Sequence, residues 1–175
     1  MRTYLFLFIL GVFLMACTQN SGTRRIDNSS ENKIRNQVIN VAENYAINQL
    51  KDTKKTVAKD GIITLGDNQK SYVIDPAKIF IGLIDDDSNK DAIVSIDYYN
   101  GQYLVLTEHL ILIKTDSKFM LIRAIESDMK ILRIKDRVIT VEISTRSRNS
   151  PLRDCLACKE IVNYQFRGGD LIRMQ

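Results

Sequence analysis

The sequence predicts an α+β domain: one N-terminal amphipathic helix packed on a curved antiparallel β-sheet of meander topology. Three observations carry this. An apolar stripe at helical spacing opens the folded part. After Asp52 come short runs rich in Ile, Val, Tyr and Phe, punctuated by turn-forming residues. The gaps between those runs are short, and short turns join antiparallel neighbours.

The helix is expected over residues 30–52. Ser29-Ser30-Glu31 offers N-cap chemistry with an acidic first turn. Ile34, Val38, Val41, Tyr45 and Leu50 then form one stripe facing a core, while Lys33, Asn36, Asn40, Glu43 and Asn44 face water. Turn signals follow at Asp60-Gly61, Gly66-Asp67-Asn68, Asp75-Pro76, Asn100-Gly101, Ser127-Asp128, Lys135-Asp136 and Gly168-Gly169. They bound strands expected near 61–65, 71–74, 78–83, 92–99, 103–114, 118–126, 130–134, 138–144, 160–167 and 171–173. Ile139, Val141 and Ile143 share one strand face, and Val162, Tyr164 and Phe166 share another.

With 175 residues, 45% hydrophobic and 26% charged, the chain fits a single soluble domain and excludes a multidomain machine, a collagen-like repeat or a low-complexity chain. The first 16 residues stand apart. Met1-Arg2-Thr3 is a short positive stretch, followed by 11 apolar residues from Tyr4 to Leu14. As a helix that run is about 16 Å long, roughly half a bilayer's hydrocarbon core, which suits a secretory signal rather than a membrane span. It ends in Leu14-Met15-Ala16-Cys17. This resembles the lipobox of bacterial lipoproteins, in which the cysteine is lipidated and becomes the mature N-terminus. Met15 departs from the small or β-branched residue usual before the alanine. The competing reading is a secreted protein with Cys17 as a free thiol.

The expected organisation is therefore a signal peptide over 1–16, a lipidated Cys17 with a flexible tether over 17–30, and one domain over 31–175. Residues 18–30 contain one large apolar residue, Ile26, and reach at most about 45 Å. The resemblance implies a protein held at the membrane by its lipid in the bacterial cell envelope. Thr18, in place of the aspartate that retains such proteins at the inner membrane, points to the outer membrane and a periplasm-facing domain.

Residues 82–94 (GLIDDDSNKDAIV) resemble the loop G-D-L-N-G-D-G-K-x-D-A-V-V of exported bacterial proteins and integrin-like repeats. In those loops Asp or Asn side chains supply hard oxygen ligands to calcium. The resemblance implies Asp85, Asp87 and Asp91 as ligands of a weakly bound calcium ion. Leu83 and Ser88 replace a ligand and a turn glycine. The competing reading is a solvated acidic turn that shapes a hairpin. No other cofactor is expected.

Cys155 and Cys158 form Cys-Leu-Ala-Cys. A redox pair belongs after a strand at a helix N-terminus, whereas this pair follows Pro151 and precedes an alternating run. Zinc needs further ligands, and His109 is the only histidine. A structural disulfide in an oxidising compartment is the favoured reading, gaining about 2 kcal/mol. The stretch from Pro151 through the cysteines, Tyr164-Gln165-Phe166 and Gly169-Asp170-Leu171 also resembles the closing pattern P-x-C-C-P-S…Y-x-[FW]…G-x-L of small exported bacterial proteins, including lipoproteins with the aspartate loop. Here two residues separate the cysteines and Pro-Ser is missing.

The formal charge is +4. Arg146, Arg148 and Arg153 lie in one expected loop that could bind anions such as lipopolysaccharide phosphates or peptidoglycan carboxylates. Nucleic acid is not an expected partner of an exported chain with so small a charge. Glu108-His109 could be half of an acid–base pair, but His109 reads first as a surface or cross-strand residue. Tyr98, Tyr99 and Tyr103 flank Asn100-Gly101 and either stack on a sugar or brace a hairpin. No serine nucleophile motif, phosphate-binding glycine loop or H-E-x-x-H occurs. The expected function is a non-enzymatic binding or accessory module, with an envelope protein or glycan as partner. The alternative is a hydrolase or hydrolase inhibitor acting on envelope polymers, through a pocket joining His109 to the acidic loop.

Overall fold

A computed structural model describes residues 28–50, 53–145 and 158–175. Helix α1 (Asn28–Gln49) is followed by ten antiparallel strands: β1 (Lys54–Val57), β2 (Ile63–Gly66), β3 (Lys70–Gly82), β4 (Asp91–Asn100), β5 (Tyr103–Thr115), β6 (Lys118–Glu126), β7 (Lys130–Lys135), β8 (Val138–Ser144), β9 (Lys159–Arg167) and β10 (Asp170–Arg173). The class is α+β, with the N-terminal helix packed on a sheet as the periodicity predicts. The strands divide between two sheets. One is the six-stranded meander β1-β2-β3-β4-β5-β6, and the other is four-stranded, in the order β10-β9-β8-β7.

The helix begins two residues earlier and ends three earlier than its apolar stripe suggests. Arg35 reaches back to Glu31 at 3.1 Å, the favourable i,i+4 orientation of acid before base. Val38, Ala42 and Ala46 are fully buried, with Ile34, Val41, Tyr45 and Leu50 packed around them. The two alanines let the helix backbone approach the sheet closely. They meet Ala92, Val94 and Ile96 of β4 and Leu110 and Leu112 of β5.

Alternation places the remaining residues of those strands on the opposite face. Ile93 and Ile111 join Ile131, Ile139, Val141 and Val162 of the second sheet in a separate core. The six-stranded sheet is thus the middle of three layers, and β4 has seven successive buried residues, Asp91 to Asp97. Gly82 marks where the sheets converge. A Cβ there would lie 2.6 Å from Ile134 Cγ2, so only glycine lets β3 pass β7.

Asp75-Pro76 does not separate two strands as the turn signal suggests. Proline lacks an N–H, and the ladder absorbs the gap as an irregularity between Ile74 and Ile79 within one continuous β3. Strand β1 has no apolar core signal because all four of its residues are exposed. Gly66, at φ 129°, closes the β2–β3 turn where a Cβ would fall 2.1 Å from the Lys70 carbonyl.

Candidate functional site

The acidic loop between β3 and β4 is built around Asp91. Its carboxylate is fully buried. Oδ2 accepts from the backbone N–H of Ile84 at 2.9 Å and of Asp85 at 3.4 Å, and Oδ1 accepts from Lys114 N–H at 2.9 Å. The side chain therefore pins both ends of the loop to β5. Asp85 Oδ1 accepts from Asp87 N–H, and Asp87 accepts from the backbone and side-chain amides of Asn89. The three predicted carboxylates do converge, with one ligand atom from each lying within 4.8 Å of the others. Burial pushes the Asp85 carboxyl up, reinforced by the charges of Asp91 and Asp87, whereas the bonds from Asn89 hold Asp87 down.

Calcium needs six to eight oxygens, commonly including loop carbonyls. Here the carbonyls already have a cation. Arg137, in the β7–β8 turn, donates from Nε to the Asp85 carbonyl at 2.7 Å and from Nη2 to those of Asp86 at 2.9 Å and Asp87 at 3.4 Å. Asp91 is likewise committed to three amides. The three converging carboxylates fall short of that oxygen number on their own, and the turn is closed by a guanidinium. Asp136 and Arg137 both have positive φ, 52° and 63°, as a type I′ turn requires. A bulky residue in that region is strained.

Beside this loop lies a cleft of about 170 Å³ lined by Ile84, Asp86, Arg137, Gln165, Phe166 and Arg167. Sequence reasoning missed it. The turn signal Lys135-Asp136 stops one residue short of Arg137, and Gln165 and Arg167 fall within the expected strand 160–167 with nothing in the pattern to mark them as site residues.

His109 is not on the surface. It is 1% exposed, facing the second sheet and paired across the ladder with Ser95. Nε2 lies 3.3 Å from the Ser127 carbonyl, which can only accept, so Nε2 carries the proton. Nδ1 then accepts from Ser95 Oγ at 2.8 Å. Burial pulls the imidazole below its usual range, partly offset by the Ser127 carbonyl and the Asp97 charge. Asp97, two residues along β4, accepts from Lys78 at 2.5 Å and Thr107 at 2.8 Å. Ser95 is four residues from Asp91, about 13 Å along the strand, so His109 and the acidic loop sit apart. The joint pocket expected of a hydrolase is not formed by these residues.

On the helix side, the adjacent Glu108 accepts from the Tyr45 hydroxyl at 2.7 Å. Tyr72 stacks edge-on to Tyr45 and tilted against Tyr98, with ring centres 6.4 and 5.0 Å apart. Burial and the Glu108 charge raise both the Tyr45 and Tyr72 hydroxyls. Tyr98 thus braces the β4–β5 hairpin from inside, while Tyr103 at its tip is 81% exposed, with Leu104 and Val105 more than half exposed beside it.

Cys17, Cys155, Arg146, Arg148 and Arg153 lie outside the described residues. Cys158 is disulfide-bonded. Among the described residues no helix is long and apolar enough to cross a membrane. Comparison with known proteins finds no matching family, no similar curated protein and no similar solved structure.

Proposed function

We propose that the chain is a lipid-anchored protein of the bacterial cell envelope, facing the periplasm, and that it acts by binding a protein or glycan rather than by catalysis. The observation that carries the reading is the tip of the β4–β5 hairpin. Tyr103, Leu104 and Val105 are exposed in succession there, and aromatic and aliphatic side chains presented at a hairpin end suit recognition.

Orientation supports it. Gln37 of α1 meets the Ser117 carbonyl in the β5–β6 turn, whereas Tyr45 meets Glu108, closer to the hairpin tip. The helix N-terminus therefore lies at the end of the sheet away from the tip. With α1 starting at Asn28, residues 18–27 separate it from Cys17 and reach at most about 35 Å. A lipid on Cys17 holds that end toward the bilayer and presents the tip outward. Two acyl chains suffice for stable attachment.

Two measurements test this. Cys17→Ala abolishes metabolic fatty-acid labelling, and continued labelling removes the anchor. A photo-cross-linker at position 105 gives a discrete envelope adduct, or purified peptidoglycan co-sediments with the chain. Either signal is lost when Tyr103 and Leu104 are changed to serine. Absence of both signals, or their survival in the double variant, overturns the binding assignment of the tip.

A further inference from the structure

We infer that the cleft between the acidic loop, the β7–β8 turn and β9 binds a single carboxylate carried on a small, partly apolar stem. This site is separate from the hairpin tip and at the opposite end of β4.

The lining sets the chemistry. Arg137 is fixed in place, because three loop carbonyls hold its Nε and Nη2. Guanidinium has five N–H donors, and these bonds leave the two on Nη1 without a partner among the described residues. The side chains of Arg167 and Gln165 make no hydrogen bond or ion pair among the described residues, and both line the same cleft. One positioned cation, one uncommitted cation and one amide thus surround about 170 Å³ of space. Guanidinium groups recognise planar oxyanions through paired N–H donors, and a site already held in shape loses less entropy on binding.

Two features choose a carboxylate over phosphate. Asp86 lines the cleft and lies 3.9 Å from Arg137 Nε, so a doubly charged ligand meets stronger repulsion there than a monoanion does. Half-buried Phe166 supplies a small apolar wall for a carbon stem, while Ile84 lines the cleft as a buried side chain. The volume corresponds to roughly six waters, room for a terminal residue but not for a sugar chain. A free short carboxylic acid and the C-terminal residue of a peptide share this chemistry.

Titration of the full-length chain in detergent, followed through the backbone amide NMR signals of Gln165–Arg167, separates the outcomes. The probes are N-acetylalanine, an acetylated tripeptide ending in alanine, the same tripeptide amidated at its C-terminus, and inorganic phosphate. Saturable shifts with either free carboxylate support the site, and the tighter of the two names the source. Arg167→Gln, which changes an exposed side chain and keeps the strand backbone, weakens that binding by roughly tenfold or more, the loss expected for a charged hydrogen bond. Equal binding of the amidated peptide or of phosphate overturns the assignment, as does an unaffected Arg167→Gln variant or the absence of saturation with both carboxylates.

Discussion

Asp91 carries more of the local structure than any other residue of its loop. Three backbone N–H groups close on one fully buried carboxylate, so Asp91→Ala leaves three donors without an acceptor. At about 1 kcal/mol or more for each, the variant loses about 3 kcal/mol or more in urea unfolding. A loss below about 1 kcal/mol would refute this role. His109 contributes a pH dependence instead. The unfolded imidazole titrates near 6.5, and burial lowers the folded value. Between those values the unfolded chain binds the extra proton, so the stabilisation is complete above about pH 6.5 and is lost as the pH falls through that window. The urea midpoint of the native chain therefore drops between about pH 7 and pH 5 more steeply than that of His109→Gln. Parallel curves would show that His109 does not titrate in this way. Asp91 could be named from the sequence only as a resemblance-derived ligand, because its true partners are backbone amides, which no side-chain pattern reports.

At the scale of elements, the β7–β8 turn does two jobs. It reverses the chain with two residues at positive φ, and it delivers Arg137 to a loop fifty residues away in sequence. Arg137→Ala keeps the strained backbone and removes only the side-chain bonds. The expected result is a loss of about 1 kcal/mol, since the group is nearly half exposed, with hydrogen exchange accelerated at Asp85 to Asp87 and unchanged in β9. Most elements were legible beforehand because period-2 runs bounded by Gly, Asn and Asp leave little freedom. The exceptions have physical causes. Edge strand β1 buries nothing, so it leaves no apolar signature. Pro76 reads as a terminator, yet β3 accommodates it as an irregularity where the ladder tolerates a missing N–H.

For the whole molecule, the step from one sheet to two changes what the strands mean. Taken as a single half-solvated layer, β4 would turn Ser95 and Asp97 toward water. The second sheet covers that face, and so both are buried and paired with His109, Lys78 and Thr107. Which strands hydrogen-bond to which can be read from turn lengths, but how two sheets stack is decided by contacts distant in sequence, such as Gly82 against Ile134. The cleft was invisible for the same reason, since its three contributing segments meet only after stacking. The layering also sets a clock. Strand β4 lies between β3 and β5, under α1 on one face and the second sheet on the other, so its amides meet solvent only when every layer separates. Amide protons of Ala92 to Ile96 should exchange at the rate of global unfolding and slow in step with each stabilising condition, while those of β1 and of β6's outer edge exchange through local fraying. β4 is thus an internal gauge of the fold's total free energy, readable without denaturant.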